Sequence, residues 1–368
     1  MSATTSDLRF MRRALRLARR GHGRASPNPM VGAVIVFGAE VVGTGYHRGP
    51  GTAHAEIIAL EQAGDKARGA TLYLTLEPCT HQGRTPPCAP RVCASGLARV
   101  VVAAEDPNPK VAGAGIEALR RAGIEVEVGL LREEENQLNE AYRRYITTGR
   151  PFVTLKIAMS LDGKIATRTG HSRWITGERA RVFAHRMRAD SDAVLVGIGT
   201  VIADDPLLTA RHVRAHRQPL RVIADSKART PAGAKIMRAS ERPPLIAVTD
   251  SAPEENARTL REAGAEVVVL PRRDGHVDLE ALLEELGRRE VASLLVEGGS
   301  ELAGSVIEQG LADKLVVFIA PKLIGGADAP SAIGGCGAAL VEQAWPVRDM
   351  RCRRVGGDLM VEGYLEKG

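Results

Sequence analysis

Aromatic residues are scarce in this chain, and long hydrophobic runs are missing. Phe, Trp and Tyr together make up 3% of its 368 residues, which leaves few rings for the stacking surfaces that bind single-stranded nucleic acids. No segment approaches the roughly 18 uninterrupted apolar residues of a membrane-spanning helix. A hydrophobic fraction of 44% and a charged fraction of 26% are typical of a folded globular protein. We therefore expect a folded protein whose partners include neither nucleic acid nor membrane.

Charge of one sign is not concentrated anywhere. The 50 Lys and Arg residues are spread among 44 Asp and Glu, for a net charge of +6. A mildly basic enzyme that acts on phosphorylated small molecules fits this distribution.

Cysteine is rare and unevenly placed. The cysteines are too few for a disulfide scaffold: Cys79, Cys88, Cys93, Cys336 and Cys352. Three of them fall within fifteen residues. This spacing favours a metal site in a protein of the reducing cytoplasm.

At about 150 residues per domain, the length predicts two domains, with three as the alternative. Residues 147–151 (TTGRP) form the best linker, so we assign the domains to residues 1–147 and 148–368. Strands and helices alternate in both parts, which predicts mixed sheets with helices on both faces. Strands are predicted at 31–37, 41–46, 71–76, 99–104, 125–128, 152–158, 192–196, 220–224, 245–248, 266–270, 293–297, 314–319 and 359–364. Helices are predicted at 53–63, 87–95, 115–121, 132–145, 178–188, 254–263, 279–287 and 300–309.

Residues 5–20 are rich in arginine and poor in acids, as an organelle transit peptide is. The first helix of a domain is the better interpretation. Ser6 can cap such a helix, Asp7 suits its first turn, and apolar residues recur at helical spacing over 8–18.

The strongest motif joins His54 and Glu56 with Cys79 and Cys88. Catalytic zinc commonly has three protein ligands and keeps its fourth position for water, and one imidazole with two thiolates meets that count. Glu56 could then shuttle a proton without binding the metal. This order of residues is typical of zinc-dependent base deaminases. We interpret Cys93 as a packing thiol, with a further zinc ligand as the alternative.

The spacing of the two cysteines indicates which kind of zinc-dependent deaminase this is. Nucleic-acid deaminases usually have two residues between their cysteines, whereas eight separate Cys79 from Cys88. The segment EPCTHQGRTPPC (77–88) resembles the deaminase domain of the bifunctional riboflavin-biosynthesis deaminase–reductases. The same holds for PNPMVGAVIV (27–36), GYHRGPGTAHAE (45–56) and DPNPKVAG (106–113). The resemblance implies an α/β protein, with a cytidine-deaminase-like three-layer α/β/α domain followed by a dihydrofolate-reductase-like α/β domain.

For the first domain, the resemblance implies deamination of 2,5-diamino-6-ribosylamino-4(3H)-pyrimidinone 5′-phosphate at its 2-amino group. One zinc ion per chain would activate water at His54, Cys79 and Cys88, with Glu56 as the catalytic proton carrier. The implied substrate contacts are Asn28 and His47 at the pyrimidine, with His81, Arg84 and Asn108 lining the site. On residue type alone, Asn28 would be a turn residue, and His81 and Arg84 would be solvated loop residues.

The second part carries weaker motifs. Glycines follow predicted strands at 196–200 (VGIGT) and 297–300 (EGGS), where turn N–H groups can approach a phosphate. Glycine is also common at turns for steric reasons, so a nucleotide site and a plain turn both stay open. The family resemblance extends to TLKIAMSLDGKIA (154–166), SRWITG (172–177), residues 188–211, LLVEGGSEL (294–302) and PKLIGG (321–326).

That resemblance implies NADPH-dependent reduction of the ribosyl chain to a ribityl chain, with hydride arriving at C1′. The implied cofactor contacts are Ala158, Trp174, Thr200, Asp204, Ser226, Gly299, Ser300, Glu301, Leu302, Ala303, Gly304 and Ser305. The implied substrate contacts are Ser172, Arg188, Leu208, Arg211 and Glu297, and the two arginines are suited to clamp a phosphate. Lys156 is implied to bind or protonate the sugar. The alternatives are a structural role for Lys156 and a core position for Trp174.

Two other functions compete with this interpretation. One is a nucleoside or nucleic-acid deaminase with an unrelated C-terminal domain. The other is a nucleic-acid-binding or interaction protein with a structural zinc, whose fourth protein ligand would have to be Cys93. We further expect a homo-oligomer, either a dimer or a tetramer. In the loop after the strand at 220–224, we expect Ser226, Lys227 and Arg229 to bind the 2′-phosphate of NADPH. The alternative is a solvated basic loop with no role in cofactor binding.

Overall fold

The computed structural model describes residues 4–366, which form two compact units. The first unit ends at Gly149 and the second begins at Arg150. Over the described range, no helix has both the length and the apolar character needed to cross a bilayer.

The first unit is built around a mixed sheet. Its helices are α1 (Thr5–Ala18), α2 (Ala55–Ala63), α3 (Ala89–Cys93), α4 (Ala114–Arg121), α5 (Arg132–Leu138) and α6 (Glu140–Thr148). Its strands are β1 (Gly32–Phe37), β2 (Glu40–Tyr46), β3 (Thr71–Leu76), β4 (Arg99–Ala104) and β5 (Glu125–Val128). They pair in the order β2–β1–β3–β4–β5, with β1 antiparallel to both neighbours and β3, β4 and β5 parallel.

Both faces of this sheet are covered by helices. Along β1, Ala33 and Ile35 pack into a core with residues of α2 and α4, whereas Val34 and Val36 pack with residues of α1 on the other face. Alternate side chains of a strand point to opposite faces, so a near-continuous apolar strand is what a doubly covered sheet requires. The predicted three-layer α/β/α arrangement is confirmed.

Glycine in β2 lets α2 lie directly on the sheet. The Cα of Gly45 lies against the Ala55 carbonyl, where a Cβ would collide with the backbone of the helix. This close approach sets the position of the first turn of α2, which carries Glu56. Because β3 and β4 are parallel and adjacent, the loops that follow them leave the same edge of the sheet.

The second unit contains a larger sheet. Its helices are α7 (Glu178–Asp190), α8 (Ile198–Asp204), α9 (Glu254–Glu262), α10 (Leu279–Arg288) and α11 (Ser300–Glu308). Its strands are β6 (Phe152–Ser160), β7 (Ala193–Gly197), β8 (Leu220–Ala224), β9 (Leu245–Val248), β10 (Glu266–Val269), β11 (Arg272–Arg273), β12 (His276–Val277), β13 (Ser293–Glu297), β14 (Lys314–Ala320), β15 (Val347–Val355) and β16 (Asp358–Leu365). The sheet order is β10–β9–β8–β7–β13–β6–β14–β16–β15, and β11 and β12 form a separate hairpin.

In this order, all strand pairs from β10 to β14 are parallel. At the other edge, β16 pairs antiparallel with β14, and β15 pairs antiparallel with β16. Buried clusters lie on both faces: one includes residues of α10 and α11, and the other includes residues of α8 and α9. The carboxyl end of β13 lies beside the middle of β6, since Glu297 and Lys156 are partners in the ladder. Ligand sites of open α/β sheets form at such ends.

Three sequence predictions need correction. The N-cap of α1 is Thr4 rather than Ser6, because the Thr4 side chain and Asp7 form a reciprocal capping box. The helix predicted at 132–145 is broken at Asn139, whose side chain bonds to the distant Met30 backbone. Thr147 and Thr148 belong to α6, so the connecting segment is shorter than the predicted linker.

Candidate active sites

Three side chains with metal-binding atoms meet at the edge of the first sheet. Ligand atoms of His54, Cys79 and Cys88 all lie within 4.8 Å of one another. His54 precedes α2, Cys79 follows β3, and Cys88 precedes α3. The Nδ1 atom of His54 lies 3.1 Å from Sγ of Cys88 and 3.6 Å from Sγ of Cys79. One imidazole and two thiolates suit zinc and leave a tetrahedral position for water, so these residues fit a catalytic metal.

Hydrogen bonding favours the metal-binding form of Cys79. Hydrogen bonds from the thiol of Cys88 and then from the ring of His54 hold the pKa of Cys79 below its ordinary value. The Cys88 backbone N–H also donates to Sγ of Cys79, over 3.4 Å. Cys93 lies elsewhere: its Sγ is 3.6 Å from the Ala118 carbonyl oxygen, and burial raises its pKa. This geometry agrees with a packing thiol.

Glu56 is buried beside the cluster, in the first turn of α2. Burial raises its pKa, and its carboxyl group interacts with the Cys88 thiol and with the charge of His54. This raised pKa favours the protonated carboxyl group, which suits a residue that must release a proton as well as accept one.

Asn28 and His47 lie beside the metal-binding cluster. The Asn28 side-chain nitrogen is 3.1 Å from Nε2 of His47, and the His47 ring stands edge-on to the His54 ring with 5.1 Å between centroids. Burial, followed by the charge of His54, lowers the pKa of His47 to about 4. His47 is therefore neutral at pH 7, as suits a partner for an uncharged heterocycle.

The other predicted substrate contacts of this domain lie in the loops after β3 and β4. His81 has a buried Nδ1 that has no hydrogen-bond partner within residues 4–366. Burial raises the pKa of the nearby Asp106, and the electrostatic interaction with His81 partly offsets this rise. Asn108 is buried, and its backbone N–H donates to Asp106 over 2.9 Å. Arg84 is exposed in the same loop as His81.

A buried polar network that sequence reasoning missed fixes these loops. The Glu77 carboxylate accepts hydrogen bonds from the N–H groups of Asp106, Gly113, Gly115 and Ile116 at 2.7–3.3 Å. It thereby ties the strand that leads to Cys79 to the first turn of α4. The sequence does contain a hint, because Glu77 lies two residues before the metal-binding Cys79. Its role could not be predicted from local sequence, since its hydrogen-bond partners are 29–39 residues away along the chain.

Two further residues were missed. Asn139 bonds both backbone polar groups of Met30, at 2.8 and 3.0 Å, and so holds the loop that carries Asn28. The hydroxyl oxygen of Thr85 lies 3.2 Å from Nε2 of His54. Neither residue type marks a site on its own.

In the second unit, three predicted site residues form one buried ionic cluster. Arg188 on α7 donates to both carboxylate oxygens of Glu297, at 2.5 and 3.0 Å, and Lys156 lies 3.3 Å from the same carboxylate. Burial acts to raise the pKa of Glu297, but the two cations overcome it and hold that pKa at about 2. Arg188 also donates to the Thr209 carbonyl. Its guanidinium is therefore held by Glu297 and Thr209, and the phosphate clamp at Arg188 stays a prediction.

The segment that follows α8 carries the other predicted substrate contacts. Leu208 is buried and has a positive φ of 52°, and Arg211 is exposed. Nδ1 of His185 lies 3.1 Å from the Thr209 carbonyl oxygen and 3.2 Å from the Arg211 backbone nitrogen. Burial and then the charge of Arg188 lower the pKa of His185 to about 4, so a neutral ring holds this segment.

The predicted cofactor contacts lie around the carboxyl ends of the strands. Thr200 accepts a hydrogen bond from the Gly299 N–H over 3.1 Å, just before α11. Asp204, at the end of α8, accepts one from Ser172 over 3.0 Å. Trp174 is 63% exposed, so it is not a core aromatic residue. Ala158 is half-buried in β6.

The 299–305 segment divides into two parts. Leu302, Ala303 and Gly304 are buried on the core side of α11, so they can meet a cofactor only through backbone atoms. Ser300 and Ser305 are half-buried, and Glu301 is exposed. The N–H groups of the first helical turn have no partner within the helix, and such groups bind phosphate well.

Family comparisons agree with both sites. Residues 4–104 match the cytidine and deoxycytidylate deaminase zinc-binding region, and residues 151–361 match the RibD C-terminal domain. The riboflavin biosynthesis protein RibD of Aquifex aeolicus is 46% identical over 355 residues, covering 96% of this chain and 97% of the relative. The chain belongs to the RibD family. Escherichia coli RibD is 44% identical over 332 residues, covering 87% and 89%.

Solved structures give the same result. Acinetobacter baumannii RibD has a TM-score of 0.88 and 37% identity, covering 98% of this chain and 99% of that one. A Thermotoga maritima protein described as a diaminohydroxyphosphoribosylaminopyrimidine deaminase/5-amino-6-(5-phosphoribosylamino)uracil reductase has a TM-score of 0.84 and 36% identity, with the same coverage. The chain is thus an enzyme of riboflavin biosynthesis with a deaminase and a reductase domain, as its motifs indicated. The match over residues 151–361 excludes an unrelated C-terminal domain.

Proposed function

We propose that this enzyme converts 2,5-diamino-6-ribosylamino-4(3H)-pyrimidinone 5′-phosphate to 5-amino-6-ribitylamino-uracil 5′-phosphate in two steps. The first unit removes the 2-amino group, and the second reduces the ribosyl chain with NADPH. The observation that carries the proposal is the convergence of His54, Cys79 and Cys88 beside the buried Glu56, in a chain that also holds the Glu297 cluster. We keep the predicted domain limits, 1–147 and 148–368, for the two activities.

In the deaminase site, Glu56 performs the proton transfers. Zinc, when bound, lowers the pKa of its coordinated water to about 7. Glu56 takes a proton from the water that adds at C2, passes it to the pyrimidine ring, and supplies a proton to the departing ammonia. Asn28 and His47 bind the pyrimidine edge, while His81, Arg84 and Asn108 surround the rest of the substrate.

In the reductase site, Lys156 is the proton donor. NADPH supplies the hydride that arrives at C1′ of the sugar. Lys156 protonates the sugar oxygen that is released as the ring opens, while Glu297 and Arg188 hold Lys156 and the substrate in place. Ser172, Leu208 and Arg211 bind the substrate. We assign binding of the substrate phosphate to Arg211, because the guanidinium of Arg188 is hydrogen-bonded to Glu297.

The cofactor site of this proposal combines backbone and side-chain groups around α11. The residues proposed to contact NADPH are Ala158, Trp174, Thr200, Asp204, Ser226 and residues 299–305. Thr200 supports this assignment because its hydroxyl fixes the Gly299 backbone at the start of α11. Ser226 supports it because its Oγ accepts from the Val277 N–H over 3.0 Å, which leaves the hydroxyl proton for a ligand.

We also propose a homo-oligomer, either a dimer or a tetramer, in the cytoplasm. The supporting observation is β15, an edge strand whose residues are nearly all exposed. Met350 and Val347 lie on it among charged side chains, and unpaired strand edges readily pair with another chain. Reduced thiols at Cys79 and Cys88 suit a reducing compartment.

Mass spectrometry of the products tests the proposed function. The zinc-loaded enzyme is incubated with the diamino substrate, with and without NADPH. Without NADPH, we expect only the deaminated ribosyl compound. With NADPH, we expect the ribityl product, which carries two more hydrogens. Reduction of the diamino compound without prior deamination would contradict the order of steps.

A further inference from the structure

The ring of His54 is held from both sides. Its Nδ1 faces the sulfur atoms of Cys79 and Cys88, at 3.6 and 3.1 Å, while its Nε2 lies 3.2 Å from the hydroxyl oxygen of Thr85. An imidazole nitrogen binds a metal only when it carries no proton. With Nδ1 as the metal ligand, the ring proton therefore sits on Nε2, and Thr85 is the group that accepts it.

We propose that Thr85 is a positioning residue for the metal site. Its hydroxyl fixes the tautomer and the orientation of the His54 ring, so that Nδ1 is presented to zinc. Metal-binding histidines generally donate their second N–H to such a partner, and the loss of that partner typically weakens metal binding. This inference rests on the zinc site of the proposed function and adds a residue to it.

The sequence around Thr85 restricts its backbone. Thr85 precedes Pro86 and Pro87, and a proline disfavours the helical conformation of the residue before it. The Gly83 N–H donates to the Thr85 carbonyl over 3.2 Å, which fixes the preceding turn.

The loop is also closed at its ends. The N–H groups of Cys88 and Ala89 donate to the Cys79 carbonyl at 3.1 and 3.0 Å. The segment between the two cysteines is thus a closed loop that carries Thr85 back over the His54 ring. The interval between the two cysteines therefore supplies the hydroxyl group that lies next to the second ring nitrogen of His54.

The test compares the zinc affinity of three variants with that of the unaltered protein. Thr85→Val keeps the shape of the side chain and removes the acceptor, whereas Thr85→Ser keeps the hydroxyl group. Thr71→Val is the matched control, because it makes the same substitution at a half-buried position of β3 outside the cluster of metal-binding residues. Zinc dissociation constants are measured on the full chain by competition with a chelator of known affinity.

We expect Thr85→Val to bind zinc about 10- to 100-fold more weakly. Thr85→Ser and Thr71→Val are expected to stay close to the unaltered protein. Equal zinc affinity of Thr85→Val and the unaltered protein would overturn the inference. So would an equal loss in Thr85→Ser, since the effect would then not depend on the hydroxyl group, or an equal loss in Thr71→Val.

The design separates this inference from the proposed zinc site. If the unaltered protein takes up no zinc, or if Cys79→Ser binds zinc normally, then the zinc site itself is wrong. If the unaltered protein binds zinc and Thr85→Val binds it equally well, then only the role of Thr85 is wrong. Circular dichroism and the thermal unfolding of the first unit report whether each variant is folded.

Discussion

Arg188 and Glu297 form a buried ion pair with two hydrogen bonds, at 2.5 and 3.0 Å, and Lys156 shares the same carboxylate. Two cations surround one anion in a buried position, so Glu297 balances charge that would otherwise be costly. The carboxylate thus holds both Lys156 and the guanidinium of Arg188 in place.

Glu297→Gln should destabilise the second unit. Removing one partner of a buried ion pair typically costs about 3–5 kcal/mol, because the remaining charges stay buried without compensation. The measurement is the free energy of unfolding from urea denaturation, followed by a probe in the second unit. Glu284→Gln is the control, since its partner Arg150 is near the surface and such pairs contribute roughly 0–1 kcal/mol. Similar losses in both variants would contradict the role of Glu297.

The same pair predicts a pH dependence. Glu297 has a pKa of about 2 in the folded protein and an ordinary value of 4.5. The contribution of Glu297 to the free energy of unfolding is therefore complete above pH 4.5 and is lost as the pH falls from 4.5 towards 2. The difference between the two pKa values corresponds to roughly 3 kcal/mol of stability. The stability difference between the unaltered protein and Glu297→Gln should shrink over this range. A difference that stays constant with pH would contradict the lowered pKa.

Cys79→Ser should lose zinc and deaminase activity, whereas Cys93→Ser should keep both. Cys79 belongs to the cluster of three ligands, and the Sγ of Cys93 instead lies near the Ala118 carbonyl oxygen. Zinc content after purification and dialysis is the measurement. Normal zinc content in Cys79→Ser, or its loss in Cys93→Ser, would require a different ligand set.

Lys227→Glu should raise KM for NADPH strongly and leave KM for NADH nearly unchanged. Lys227 is exposed, next to Ser226 and after the end of β8, where α/β folds often read the ribose 2′ position. A charge-assisted hydrogen bond to the 2′-phosphate contributes roughly 1.5–3 kcal/mol, which corresponds to about a ten- to hundredfold preference for NADPH over NADH. Lys66→Glu, an exposed charge reversal in the first unit, is the control. Equal changes for both cofactors would show that Lys227 does not read the 2′-phosphate.

Much of this fold follows from local patterns. The strands at 71–76, 99–104, 125–128, 220–224, 245–248 and 293–297 have the predicted bounds, because each is a short apolar or alternating run between turn signals. β15 was missed because its side chains are exposed on both faces, so it has no hydrophobic period and forms through backbone pairing with β16.

The metal ligands could be predicted, whereas the residues that orient them could not. His54, Cys79 and Cys88 stand out because their residue types and order are specific to one chemistry. Thr85 and Asn139 are common residues, and each acts through a partner that is 31 or 109 residues away. The break at Asn139 shows the same limit: the local sequence favours a continuous helix, and a contact with Met30 interrupts it.

The central claim is that one chain carries two separate sites for successive reactions. The most direct measurement follows the products of Glu56→Gln, given first the diamino substrate and then pre-deaminated substrate with NADPH. We predict a loss of deamination of ~10²–10⁴-fold, together with reduction at the rate of the unaltered enzyme. Loss of reduction in the folded variant, or deamination at the normal rate, would contradict the account.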